Sequence, residues 1–328
     1  MASPLPVRRI ELPTPYAVGP VNCYLIEAEP LTLVDCGINT PQARSVFLEA
    51  LASASVAPED VRQVIVTHAH PDHYGLVHVI QEATEHSDQT SVTVYFPARE
   101  IARVRDRQML FEVGRLLIEA GMPMDLLFKM DQQRKQGPRS EMNHDHVVPL
   151  YEGHTFDFDR AGKSFSLVAL HMPGHTGGHM VFHEPRTSTL FAGDQLLPDV
   201  SPNPLLEPSL DAPGERRRSL REYLDSLARM ADLRPEFAYP GHGDPIQDPR
   251  SLIQRTIEHH RKRKAQVAAH LGPRGKTPYQ LAGELYPNVT GYDIFLSVSE
   301  VVAHLDLVVE DGGALVEERD SVTYYRAS

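Results

Sequence analysis

Cysteine is the first scarcity. The 328 residues contain only two, Cys23 and Cys36, which excludes both a disulfide scaffold and a thiolate metal cluster. Any metal site must therefore rest on imidazole and carboxylate. Long apolar runs are missing as well. The opening MASPLPVRRIELPTPYAVGP has no signal-type apolar stretch, and no later segment approaches the length of a membrane span. A cytoplasmic protein without membrane contact is expected. Positive charge is outweighed, with 32 Lys and Arg against 44 Asp and Glu and a net charge of −12, which opposes wholesale binding to phosphate backbones. A Gly-x-Ser-x-Gly elbow and a Cys/His pair suited to nucleophilic catalysis are also lacking. The chain that remains is 41% hydrophobic, long enough for one large domain or for a domain with an appendage. It also carries 17 histidines, and their positions matter more than their number.

The pattern along the chain alternates strand and helix. NCYLIEAEP and LTLVDCG are β-type runs that meet at Glu29-Pro30, residues 41–53 have helical spacing, VIV before Thr67 is a buried strand, and VTVYFP from Val92 is another. From about residue 98 to 145 this rhythm gives way to helical periodicity with the apolar cluster MPMDLLFKM, read as a helical insertion over residues 99–146. Strands resume in FSLVALHMPG, HMVFHEP, STLFAGD and EFAYPGHG. An α/β fold of four αββα layers fits, with the sandwich drawn from residues 1–98 and 147–252. Residues 253–328 read as three helices, the second capped by Thr277, followed by a hairpin around Arg319 and Asp320, a small winged-helix-like C-terminal domain.

The chemistry concentrates in one loop. Thr67-His68-Ala69-His70-Pro71-Asp72-His73 packs four candidate ligands, His68, His70, Asp72 and His73, behind a strand. His68 and His70 point the same way from an extended segment, whereas Asp72 and His73 sit where a helix begins and face elsewhere, so one loop can serve two metals. Pro71 and the buried strand make it rigid. Three further candidates stand at strand ends beside glycine, which lets backbone approach an ion closely: His175 in Pro173-Gly174-His175, Asp194 after Gly193, and His242 in Pro240-Gly241-His242-Gly243. Asp35, Thr67 and Thr176 lie near these ligands and are candidates to orient imidazoles, and His179 suits such a role or a structural one. His144 and His146 lack a strand and glycine context and read as exposed loop, while His259, His260 and His270 on a basic helix are expected to face solvent.

With these motifs in this order, the sequence resembles the metallo-β-lactamase superfamily over roughly residues 15–250. The resemblance implies that His68, His70 and His175 hold one metal, that Asp72, His73 and His242 hold a second, and that Asp194 bridges them. Best-known β-lactamases place a cysteine or serine at a second-site position. Its absence here turns the expectation toward glyoxalase II-like thioesterases, lactonases and ribonuclease Z-like nucleases. Nitrogen and carboxylate donors in this ratio suit two Zn²⁺, with Mn²⁺ or Fe²⁺ as alternatives. Two such cations generate the nucleophile from a bridging water, with Asp72 as a ligand and candidate proton acceptor.

Three substrate classes follow. The first is a thioester or related activated acyl bond of a small molecule, a lactone being the nearest variant, with Met122, Met124, Leu126, Leu127, Phe128 and Met130 offering a pliable apolar lid or merely packing the insertion. The second is a nuclease using Arg216, Arg217, Arg218 and the run Arg261 to Lys264. The third C-terminal helix opposes it, carrying Asp293, Glu300, Asp306 and Glu310 and no cation, so nucleic acid is not an expected partner. The C-terminal segment is read as a packing element or a homodimer contact. The third class, a non-catalytic binding module, conflicts with the complete ligand set.

Overall fold

The computed structural model describes residues 5–85, 91–105 and 107–328. Its first half runs through β1 (Val7–Leu12), β2 (Val21–Ile26), β3 (Thr32–Val34), α1 (Pro41–Ser53), β4 (Gln63–Ile65), α2 (Pro71–Tyr74), α3 (Val77–Glu85) and β5 (Thr93–Pro97). The insertion supplies α4 (Ala98–Arg105), α5 (Arg107–Glu119) and α6 (Met124–Gln136), after which β6 (Val147–Leu150) completes a six-stranded sheet in the order β1 to β6. The second sheet follows from β7 (Thr155–Arg160), β8 (Lys163–His171), β9 (Met180–Glu184), β10 (Thr189–Gly193) and β11 (Phe237–Pro240), in spatial order β11-β10-β9-β8-β7, with α7 (Ser219–Asp232) between its last two strands in sequence. The chain closes on α8 (Pro249–Ala269), α9 (Pro278–Leu285), α10 (Asp293–Glu310) and the hairpin of β12 (Ala314–Arg319) and β13 (Val322–Ala327).

The layers follow from which faces are apolar. Tyr24, Ile26, Val34 and Ile65 from the first sheet meet Phe156, Phe158, Leu167, Phe182 and Phe191 from the second, making the inter-sheet core. The first sheet's other face buries Phe47 and Leu51 of α1 and Ile80 of α3. Each such side chain contributes roughly 1.5–3 kcal/mol by leaving water. Helix α1 starts where Thr40 caps it, its Oγ1 accepting from the Ala43 amide at 3.2 Å, with Pro41 preset for the first turn. The second sheet's outer face packs Val181 and Leu190 against Tyr223 and Leu227 of α7 and Ile253 of α8. The result is the four-layer αββα arrangement. No helix among the described residues is long and apolar enough to cross a membrane.

Two features of the packing concern the C-terminal segment and the insertion. The C-terminal segment is not set apart: Ala303 and Leu307 of α10 join the core formed by the second sheet and α7. Phe295, Val298 and Leu305 pack with Leu116, Leu117 and Met122 of the insertion. Helix α10 buries twelve of its 18 residues, so it is a central helix of this packing. The apolar cluster at residues 122–130 is divided by the same packing. Met122 is buried, and Leu126, Leu127 and Met130 lean on that shared core, leaving only Met124 and Phe128 exposed. Leu126, Leu127 and Met130 thus follow the packing alternative, joining the insertion to the C-terminal helices.

Candidate metal centre

Five strand ends converge on one spot. Asp35 follows β3, the loop from Thr67 to His70 follows β4, His175 follows β8, Asp194 follows β10 and His242 follows β11. The two sheets are stitched together there by the Met180 amide donating to Thr67 O at 2.8 Å and the Asn22 amide donating to Gly241 O at 2.7 Å. Pro71 at the first helical position of α2 separates the loop's two halves. His68 and His70 are presented from the non-helical segment before it, Asp72 and His73 from the helical turn.

This local geometry brings the seven predicted ligands into two groups. In one, single donor atoms of His68, His70, His175 and Asp194 lie within 4.8 Å of one another, and in the other those of Asp72, His73 and His242 do. His70 Nδ1 is 2.9 Å from His68 Nε2 and 3.0 Å from His175 Nε2. Asp194 spans the groups: its Oδ2 is 3.6 Å from His175 Nε2 and 3.7 Å from His242 Nε2, and its Oδ1 is 3.4 Å from His73 Nε2. Asp72 Oδ2 approaches His242 Nε2 at 3.4 Å. Gly241 is required by this crowding, since a Cβ there would collide with Asp194 Oδ1 and come within 2.8 Å of the His73 ring.

Behind the donors, hydrogen bonds fix four of the five rings. Asp35 is held at a left-handed φ of 61° at the end of β3, and its carboxylate accepts at 2.8 Å from the Thr67 amide, the Thr67 hydroxyl and His73 Nδ1. With its own proton committed to Asp35, Thr67 Oγ1 accepts from His68 Nδ1 at 3.0 Å. His175 Nδ1 donates to Asn203 O at 3.0 Å and His242 Nδ1 to Pro20 O at 2.8 Å. In all four the Nδ1 proton is committed outward and Nε2 faces inward, the orientation a metal ligand needs. His179 acts on Asp194. Its Nε2 accepts from the Asp194 amide at 3.1 Å while its ring stacks on His68 at 4.7 Å.

Not every candidate plays the anticipated part. Thr176 reaches no imidazole: its hydroxyl donates to Glu100 of α4, which also accepts from the Gly178 amide at 2.8 Å. Glu100 and Arg103, whose Nη2 lies 3.3 Å from His70 Nε2, escaped the sequence reading although both belong to this neighbourhood. So did the carbonyls of Pro20 and Asn203, which no side-chain motif can announce. His144 and His146 are kept clear of the centre, on a short turn before β6.

The electrostatics describe a site short of positive charge. Burial, and then the neighbouring imidazoles, push His68 and His70 well below the ordinary histidine range, and burial lowers His175 against the pull of Asp194. These rings are neutral, as ligation demands. Burial works against ionisation of Asp194, yet His73 and His242 outweigh it and keep the carboxylate ionised. His73 is raised well above its usual value because Asp194 and Asp35 outweigh its own burial. A cation would take over that proton's role. The test of fit is local: His73 Nε2 and Asp194 Oδ1 are buried without a hydrogen-bond partner, and both belong to the proposed donor set. Buried polar atoms in that condition fit an ion as their missing partner.

Comparison with known proteins agrees with this geometry. The probable metallo-hydrolase YqjP of Bacillus subtilis is 32% identical over 316 residues, covering 96% of this chain and 93% of that protein. A crystal structure of a metallo-β-lactamase family protein from Thermus thermophilus superposes with a TM-score of 0.81 at 28% identity, covering 98% of this chain and 99% of that one. The atrochrysone carboxyl ACP thioesterase of Passalora fulva is 29% identical over 147 residues, 42% of this chain and 39% of that protein. The sequence profile of the metallo-β-lactamase superfamily matches residues 16–242, the stretch that begins just before β2 and ends on the last histidine of the cluster, and the chain belongs to that superfamily as a metallo-hydrolase.

Proposed function

We propose that this metallo-hydrolase uses two zinc ions to hydrolyse a thioester or related activated acyl bond of a small molecule. His68, His70 and His175 would hold one ion and Asp72, His73 and His242 the other, with Asp194 shared. The observation that carries the reading is the Asp194 carboxylate, within 3.7 Å of imidazoles from both groups and with one oxygen buried and unpartnered. Bound there, two divalent cations supply Lewis acidity toward the carbonyl oxygen and a water whose pKa falls from ~15.7 toward neutrality. The chain's own residues do the rest. Thr67, Asp35, Asn203 O and Pro20 O hold the rings in the ligating orientation, and Asp72 would be the proton acceptor. The net reaction adds water across the acyl carbon, breaks its bond to sulfur and releases an acid and a thiol.

An acyl substrate is favoured over a phosphodiester by the fate of the basic residues. Arg216 and Arg218 are paired with Asp306, Arg217 with Glu207 and Glu222, and Arg221 with Glu310. In the run at 261–264, Arg261 and Lys262 pair with Glu258, Lys264 pairs with Asp311, and Arg263 lies over the Tyr286 ring at 5.3 Å. Each of these cations has a partner within the molecule, which supports the reading against a nucleic-acid substrate. The relative from Passalora fulva, by its name, is an acyl-carrier thioesterase, and this supports the same choice. Buried, unpaired Cys23 and Cys36 suit a reducing, cytoplasmic setting.

The test is a substrate screen with the zinc-loaded protein. Thiol release from short-chain and long-chain acyl thioesters, abolished by chelation, is the expected result. Faster turnover of bis(p-nitrophenyl) phosphate or single-stranded RNA than of every thioester and lactone would overturn it.

A further inference from the structure

A second histidine cluster lies away from the centre just described, between α8 and α10. His259 is exposed, but its neighbour His260 is 1% exposed and buried against His304, which is fully buried. His260 Nδ1 is 3.2 Å from His304 Nε2, and His260 Nε2 is 2.9 Å from Ser201 Oγ. His304 Nδ1 donates to the backbone oxygen of Glu300, one turn earlier, at 2.7 Å. The expectation that His260 faces solvent is therefore wrong, because the packing of α8 on α10 turns that side of the helix inward.

We propose that His259, His260 and Glu300 form a third metal site, for a divalent transition ion of the zinc class. Three observations carry it. One donor atom from each of the three residues lies within 4.8 Å of the others, the same closeness that marks both groups of the main centre. The Glu300 side chain is only 13% exposed, yet among the described residues no Lys or Arg comes within 4.0 Å of it and no hydrogen bond reaches its carboxylate. Its nearest ionisable contact is His304 Nδ1 at 3.6 Å, and that nitrogen's proton already goes to the Glu300 carbonyl. Arg263, the cation next along α8, sits over Tyr286. A buried carboxylate left this way is costly unless a cation joins it.

The donor chemistry and access also fit. Two imidazoles and one carboxylate are the nitrogen and oxygen set that zinc accepts, leaving a fourth position for water or for His304. Whichever ring nitrogen of His260 takes the ion, the other keeps a partner in Ser201 or His304, so the ligand stays oriented. Exposed His259 gives the ion a way in. The site would tie α8 to α10 and, through Ser201, to the segment carrying Asn203, whose carbonyl holds His175 and whose amide donates to Leu296 O at 2.9 Å. The ion there is structural, clamping the C-terminal helices to the loop that supports the main centre.

The experiment compares untagged wild type with His259→Ala and Glu300→Gln, each saturated with Zn²⁺ and freed of loosely held metal. His259→Ala removes an exposed side chain and leaves the fold intact. Wild type is expected to hold one equivalent more than either variant by elemental analysis. That difference stands whatever the main centre holds, so failure here and failure of the two-zinc reading are separable. Replacing zinc with Co²⁺ should add tetrahedral or five-coordinate absorption in wild type beyond that of His259→Ala. Thermal midpoints should rise by roughly 2–4 °C in wild type, and not in the variants, as the last equivalent binds. Equal metal content and equal midpoints in wild type and His259→Ala would overturn the site.

Discussion

The two histidine clusters differ in how they are built. In the main centre the imidazoles arrive from loops at strand ends, and their outer nitrogens are committed to Thr67, Asp35 or a backbone carbonyl. Between α8 and α10 the histidines stand on helices, and their partners are one another, Ser201 and the Glu300 carbonyl one turn away. The first cluster is preorganised by a surrounding layer of hydroxyl, carboxylate and carbonyl partners. The second relies on helix packing, with a lone carboxylate left over. Rigid support of that kind separates a site for chemistry from a site for clamping.

The largest break in this comparison should come from Asp194→Ala. Because its carboxylate reaches imidazoles of both groups, the variant is expected to lose metal from both and to drop kcat/KM on a thioester by about 10³-fold or more, the scale of several kcal/mol of transition-state stabilisation. Metal at the α8/α10 cluster should remain. An unchanged metal content with full activity would remove Asp194 from the centre.

Asp35→Asn should act less severely. The side chain keeps its size but loses the charge that holds His73 and Thr67 in place. A loss of about 10- to 100-fold in metal affinity or activity is expected, the usual effect of removing a ligand's supporting carboxylate. Competition with a chelator of known affinity measures it. If Asp35→Asn binds metal as tightly as wild type, the outer layer is not what distinguishes the two clusters.

What the sequence revealed follows the same division. His68, His70, Asp72, His73, His175, Asp194 and His242 were legible because each is introduced by Pro or Gly at the end of a strand, or belongs to the dense loop around Pro71, and such punctuation fixes backbone direction locally. Asp35 and Thr67 were legible from the same strand ends. Thr176 sits in equally suggestive surroundings, but its hydroxyl turns to Glu100, a residue from an insertion whose docking no local pattern specifies. His260 was misjudged because a helix rich in charge conceals which of its sides packs, and the answer lies with α10. The partners of Asp306 and Glu310 on α10 were equally hidden, since they are arginines from residues 216–221, distant in sequence.

The smallest effect expected is also the most discriminating, and it concerns Glu300. Burial raises its pKa to about 7 from an ordinary 4.5, with Arg263 opposing only weakly. In metal-free protein the folded state thus holds a proton that the unfolded chain has released between those two values. Native protein binds more protons across that window, so stability falls as pH rises from about 4.5 to about 7 and stays reduced above it. Glu300→Gln abolishes the penalty. Without metal, the variant should be more stable than wild type by about 1–2 kcal/mol at pH 8, allowing for partial solvent relief of the full linkage value, and should match it near pH 4. Added Zn²⁺ should reverse the order at pH 8, because the charge that burdens the empty protein becomes a ligand in the loaded one. Urea unfolding at both pH values, with chelator and with zinc, reads all four combinations. A variant that is never the more stable of the two at pH 8 without metal would mean that Glu300 is already neutralised, and would erase the contrast between the supported centre and the unsupported one.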